Sequence, residues 1–267
     1  MPVIGQCRLC LKEGLLQDSH FIPQAAYRLV RGEGKNPHPL VVQTDKAVQT
    51  SVQMRAHVFC RDCEQRFHER GEDTFFRYCH RDSEGFKLLA TLRKTAPVLE
   101  STSAAVYVVC STDDAIVEQI GYFGVSLFWK SSIHSWNDGT RPVPSIPLGP
   151  YQERFRRFLL GEEPFPTGAA LVIEVSDESN RLIRAFGTPG TMKKGTNHVH
   201  WIHVCGIRFN LMVGQRIPRE LYQLCAFKPS PKMVLVSKNE EFDMATLYRD
   251  LLVTLAQKST TQEPHRT

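Results

Sequence analysis

The sequence predicts an α+β protein of two domains and a tail: a small module over residues 1–84, a larger mixed α+β domain over 85–258, and a polar tail at 259–267. Three observations carry this reading. Two cysteine pairs of identical spacing, Cys7-x-x-Cys10 and Cys60-x-x-Cys63, lie near the N-terminus. Beyond residue 100, β-branched runs such as ALVIEV (170–175) alternate with amphipathic stretches such as YQERFRRFLLG (151–161), which are strand and helix patterns sharing one chain. Hydrophobic residues make up 42% of the 267, enough for a packed core rather than a disordered chain.

The first part reads as knuckle, short strand, excursion, second knuckle and helix. The excursion RGEGKNPHP (31–39) is rich in Gly, Pro and charge and predicts a loop. VVQTDKAVQTSVQM (41–54) predicts a hairpin around the polar TDK. EQRFHERGEDTFFRYC, from Glu64, predicts a helix that Gly71 ends or interrupts.

The second part opens with a short helical patch, FKLLATLRK (86–94), stopped before Pro97, and a strand at AVYVVC (105–110). IGYFGVSLFWKSSIHSW (120–136) is apolar throughout. Its length favours a buried helix, while its β-branched residues leave a strand open. A Pro-rich connector (141–150) leads to a helix with Tyr151, Phe155, Phe158 and Leu159 on one face and Gly161 at its end. ALVIEV and RLIRAF (181–186) flank SDESN as a hairpin-like pair. VHWIHVCGIRFNLMV (199–213) and KMVLVS (232–237) read as further strands, and residues 241–257 as an amphipathic helix.

The net charge is +5 and the pI about 8.8, which permits a nucleic-acid partner without requiring one. The N-terminus lacks a signal-peptide pattern, and no apolar run reaches the roughly 18 residues of a membrane span. The expectation is a cytoplasmic protein with no membrane partner. In a reducing compartment paired cysteines imply metal rather than disulfides. Each CxxC turns two sulfurs toward one ion, and two such turns complete a closed, structural four-cysteine Zn²⁺ site. Cys110, Cys205 and Cys225 are isolated in or near apolar runs and read as buried thiols. No GxxxxGK[ST], GxGxxG or HExxH pattern occurs, which argues against a P-loop ATPase, a dinucleotide enzyme or a zincin.

Between the knuckles stands Ser19-His20-Phe21-Ile22-Pro23. A histidine at a strand end near a metal is suited to deprotonate water for attack on a phosphodiester. It is equally suited to hydrogen-bond a backbone carbonyl beside the zinc.

These residues resemble the HNH, or ββα-metal, nuclease family, whose zinc-stabilised members carry CxxC, a His followed by an Ile-Pro-like dipeptide, and a second CxxC. The resemblance covers about residues 5–80. The run Cys63-Glu64, Phe67, Gly71-Glu72 also looks like a bacterial HNH-like group with the pattern C-E-x-x-[FL]-x-x-x-G-E. The resemblance implies a metal-dependent endonuclease with His20 as general base. It implies Glu64 as ligand of a catalytic Mg²⁺ or Mn²⁺, His68 or Glu72 assisting, and a role in bacterial or phage defence. Two departures stand out: Ser19 occupies the position of the usual metal-binding Asp or His, and Glu64 that of Asn. The alternative is a catalytically silent or partner-gated zinc module that binds nucleic acid or protein.

Nucleic acid, DNA before RNA, is the implied partner, with Arg61, Arg66 and Arg70 as candidate phosphate contacts. The same arginines, with Arg77, have Asp62, Glu69 and Asp73 within pairing distance in sequence, so a solvated mixed-charge face competes with that role. The C-terminal domain is left a protein partner or a second copy of the chain. His198 and His200 share one face of a strand and His203 points away, a poor metal site. Trp129, Trp136 and Phe128 fit core better than base stacking.

Overall fold

A computed structural model describes residues 2–31, 40–42, 47–49, 52–81, 85–137, 142–177 and 185–238. Strands β1 (Val3–Gln6) and β2 (Glu13–His20) form a hairpin whose loop is the first knuckle. The chain turns at Phe21–Pro23 into the short α1 (Gln24–Leu29). Strands β3 (Leu40–Val42) and β4 (Ala47–Gln49) pair antiparallel, the hairpin read from VVQTDKAVQ. Strand β5 (Arg55–Cys60) then completes a three-stranded antiparallel sheet on β2.

From Cys60 the chain enters α2 (Arg61–Phe67), one π-helical turn (His68–Glu72) and α3 (Asp73–Tyr78). Gly71 therefore interrupts the helix without ending it. The reason is packing: a Cβ on Gly71 would meet the backbone nitrogen of Phe123 at 2.8 Å and the carbonyl of Gln119 at 3.1 Å. The widened turn lets another helix lie backbone against backbone at this point.

That helix is α5 (Asp114–Ile133), 20 residues with every side from Ile120 to Ser131 buried. It is buried all round because it is walled on three sides. The α2–α3 helix and α6 (Tyr151–Leu160) lie against it, and so does a large sheet. Gly161, at φ +78°, caps α6, and Phe155 and Leu159 are its buried face. Two short strands, β6 (His80–Arg81) and β7 (Gly85–Phe86), and α4 (Lys87–Leu92) connect the first helices to the sheet.

Among the described residues the large sheet has ten strands. Its later members are β8 (Leu99–Glu100), β9 (Ala104–Val108), β10 (Ala169–Ser176), β11 (Phe186–Gly187), β12 (Gly190–Lys194), β13 (Asn197–Val204), β14 (Ile207–Gly214) and β15 (Met233–Ser237). The order is β4-β3-β11-β13-β14-β10-β15-β9-β8, with β12 joined to β13. Most of the hairpin expected of ALVIEV with RLIRAF, residues 178–184, lies outside the described residues. β10 runs antiparallel to β14, Ala169 opposite Val213 through Val175 opposite Ile207, and parallel to β15. The run 199–213 is a hairpin, folded at Cys205 (φ +47°) and Gly206 (φ +82°), the positive-φ pair of a two-residue turn.

One hydrophobic cluster runs from Cys7 and Leu9 through Phe59, Phe67 and Trp129 to Leu171 and Phe209, on both sides of residue 84. A second, around Val106, Val172, Leu224 and Leu235, fills the opposite face of the sheet. Trp129, Trp136 and Phe128 are core. Cys205 and Cys225 are buried, but Cys110 is exposed: the chain leaves β9 at Val108, just before it. No helix among the described residues is long and apolar enough to cross a membrane. The expected helix at 241–257 and most of the expected loop at 31–39 lie outside the described residues.

Candidate metal centre and strand-end histidine

The two CxxC turns meet because β2 and β5 are neighbours. Cys7 and Cys10 sit in the β1–β2 loop, which is closed by the Cys7 amide on the Lys12 carbonyl at 2.9 Å and the Leu11 amide on the Cys7 carbonyl at 2.9 Å. Leu11 takes φ +63° to make that turn. The Arg8 amide donates to the Val58 carbonyl at 2.9 Å, and the Cys60 amide to Cys7 Sγ at 3.4 Å, so the loop is seated on β5. Cys60 ends β5 and Cys63 lies in the first turn of α2.

The four sulfurs all lie within 4.8 Å of one another, and Cys10 Sγ and Cys60 Sγ are 3.8 Å apart. A tetrahedron with bonds of about 2.3 Å has edges of about 3.8 Å, so the group can hold a metal ion such as zinc. Cys7 and Cys63 are buried, Cys10 and Cys60 half-buried. The Cys7 thiol is pulled down to about 4 by the hydrogen bond it receives from Cys63. Cys63 is correspondingly raised, and Cys60 is raised by burial.

His20 ends β2, and its Nε2 lies 2.7 Å from Gln53 Oε1. Opposite residues of an antiparallel pair share a face, and His20 faces Arg55 while Asp18 faces His57. Asp18 and Arg55 form an ion pair at 2.7 Å. The strand end therefore carries His20, Asp18, Arg55 and His57 as one polar patch; of these, the sequence pointed only to His20. Ser19 is on the alternate side. It is 1% exposed, and its hydroxyl donates to the Gln17 carbonyl at 3.3 Å.

The helix residues separate. Glu64 is half-buried, and its Oε1 is buried with no hydrogen-bond partner among the described residues. His68 is exposed in the π turn. Glu72 turns inward to Lys130 Nζ at 3.3 Å. Lys130 is 1% exposed, with its ammonium 4.4 Å from the Phe67 ring centre. The π turn adds a residue per turn and breaks the i, i+4 face that would align Glu64, His68 and Glu72. Among the described residues the four cysteines are the one group of three or more His, Cys, Asp or Glu ligands that converges.

Of the arginines, Arg61 is exposed, and Arg66 donates to the Leu160 carbonyl at 3.0 Å, binding α2 to the end of α6. Arg70 is exposed on a cleft also lined by Glu118 and Glu163. Arg77 pairs with Asp73. His198 and His200 stack on one face of β13, ring centres 6.1 Å apart. His200 is fully buried, with neither ring nitrogen hydrogen-bonded among the described residues. Burial, and secondarily His198, lowers it to about 4.

Comparison with protein-family models, with curated proteins and with solved structures finds no match to this chain.

Proposed function

We propose that the chain is a metal-dependent endonuclease in which the four cysteines hold a structural Zn²⁺ and His20 is the general base. The observation that carries this reading is the continuity of β2, β5 and α2 through the cysteine cluster. The cysteine cluster fastens the β1–β2 loop to the end of β5 and the first turn of α2, where Glu64 follows Cys63, and His20 ends the same β2 opposite Arg55. Glu64 Oε1, buried without a partner among the described residues, supports a role as oxygen ligand, since such an atom is otherwise a cost to the fold. A Mg²⁺ or Mn²⁺ held there would stabilise the charge that develops on the phosphate. His20, half-buried and oriented by Gln53, takes the proton of the attacking water. Arg55, held by Asp18 on the same face, is placed to meet a phosphate oxygen. The partner of this reading is nucleic acid, DNA first.

A second reading is favoured by Ser19. Its burial and its bond to Gln17 remove the position before His20 from any cation site, which supports a catalytically silent or partner-gated zinc module.

The test is cleavage of plasmid and of single-stranded DNA by purified, zinc-retaining protein with added Mg²⁺ or Mn²⁺, wild type beside His20→Ala and Glu64→Ala. Cleavage lost in both variants supports the nuclease. Equal cleavage by wild type and His20→Ala sinks His20 as base. No cleavage by any protein leaves the second reading.

A further inference from the structure

Arg8 and Leu11 of the β1–β2 loop and Trp129 and Ile133 of α5 line one cleft of ≈ 340 Å³. Trp129 is fully buried, and its Nε1 has no hydrogen-bond partner among the described residues. The indole packs a ring face on Phe59, ring centres 5.9 Å apart, while its N–H lies in the ring plane, off that contact. Arg8 is exposed, and its guanidinium makes no hydrogen bond or ion pair among the described residues. The cleft therefore brings together two donors with nothing to receive them. Its remaining charges are committed to each other: Glu153 is held by both Arg156 and Arg157, and Arg156 also holds the Leu9 carbonyl.

A buried donor without an acceptor is a cost to the fold and calls for a partner. A carboxylate offers two coplanar oxygens, enough to receive an indole N–H and a guanidinium together. A phosphate dianion fits less well, because the Glu153 carboxylate stands in the same wall. The exposed Leu11 and half-buried Ile133 add an apolar side. The volume lies at the low end of the usual range for a small-ligand site, about 300–1,000 Å³. From these features we infer that the cleft binds a small monocarboxylate, its oxygens on Trp129 Nε1 and the Arg8 guanidinium and its apolar body against Leu11 and Ile133. Arg8 and Leu11 belong to the loop that carries Cys10, so the ligand joins the first knuckle to α5. This goes beyond the nuclease reading and needs neither His20, a divalent cation nor cleavage.

The experiment is calorimetric titration of the full chain, zinc retained, with isocaproate, its neutral amide, N-acetyl-leucine and inorganic phosphate. Saturable binding of isocaproate or N-acetyl-leucine is expected, with the amide and inorganic phosphate each about tenfold weaker or more. Whichever carboxylate binds tighter assigns the source to a free acid or to a peptide C-terminus. Arg8 is exposed, so Arg8→Gln keeps the fold, and it should weaken binding about tenfold or more. Lys12→Gln removes the same charge from the same loop but outside the cleft, and should leave affinity unchanged. In ¹⁵N-edited spectra the Trp129 Nε1–H resonance should move on saturation. That of Trp136, already bonded to the Lys130 carbonyl at 2.8 Å, should stay. The inference is overturned by an absence of saturable binding, by the amide or phosphate binding as tightly as the carboxylates, by Arg8→Gln and Lys12→Gln behaving alike, or by a Trp129 resonance that does not move.

Discussion

The guanidinium of Arg156 donates to the carbonyl of Leu9 at 2.8 Å. Leu9 is one of the two residues between the cysteines of the first knuckle, and Arg156 is 147 positions later, on α6. The same guanidinium holds Glu153 through two contacts of 2.7 Å. The knuckle is thus clamped by the far half of the chain as well as by its own loop. The clamp is also pH-dependent: the hydrogen bond from Arg156, reinforced by Arg157, lowers Glu153 to about 2 from an ordinary 4.5.

Arg156→Ala should therefore release the knuckle without touching a sulfur. The cost expected for a hydrogen bond to a charged group is about 1.5–3 kcal/mol, read as a lower urea midpoint and as faster zinc transfer to a chromogenic chelator. Glu153 is charged in the folded state down to about pH 2. Its contribution is complete above pH 4.5 and fades as pH falls from 4.5 toward 2. Unchanged transfer rates in Arg156→Ala would remove the clamp from the account.

Stripping the metal, or Cys63→Ser, should unfold the β1–β2 hairpin and take the start of α2 with it. Structural zinc contributes on the order of 10 kcal/mol in small modules, more than the β1–β2–β5 sheet can replace. Elemental analysis should give one zinc per chain, and Cys63→Ser should lose both the ion and the cooperative melt.

Gly71→Ala is expected to destabilise by about 1–3 kcal/mol, the usual range for overpacking. The obstacle is backbone, Phe123 N at 2.8 Å, so no side chain can swing away. Chemical denaturation measures it directly, and a neutral result would mean the two helices are not in that contact.

Glu72→Leu should cost about 3–5 kcal/mol, because it leaves the Lys130 ammonium buried and unpaired. Adding Lys130→Met should recover most of the loss. A double-mutant cycle by urea unfolding decides it. If Glu72 is instead a cation ligand, the double variant will be stable but will have lost its dependence on Mg²⁺ or Mn²⁺.

His200 sits neutral in the core and resists protonation until about pH 4. The unfolded chain takes that proton near pH 6.5, so stability should fall as pH drops from 6.5 to 4 and level off below. The full difference is about 3 kcal/mol from the roughly 1.4 kcal/mol per pH unit of linkage. His200→Leu should flatten the melting temperature between pH 6.5 and 4. An equal slope in the variant would assign the pH dependence to other groups.

Much of this protein was legible in its sequence, wherever the signal is local. The spacing of Cys7, Cys10, Cys60 and Cys63 named the metal donors, because ligand type and a two-residue gap are chemical facts about one short segment each. The period of 3.6 read α6 with its Gly161 cap, and the length of 120–136 favoured the helix that became α5. Period 2 separated His203 from His198 and His200. What only the tertiary structure decided is which of these segments meet. β10 lies between β14 and β15, strands far along the chain that no local signal in its own segment names. Glu72 left the face of Glu64 and His68, because Gly71 admits a π turn under α5. Lys130 found Glu72 from 58 positions away, and Arg28, Arg77 and Arg81 came to share one cleft. Side-chain periodicity sets which face a residue presents, but only the packing of whole elements sets what that face meets.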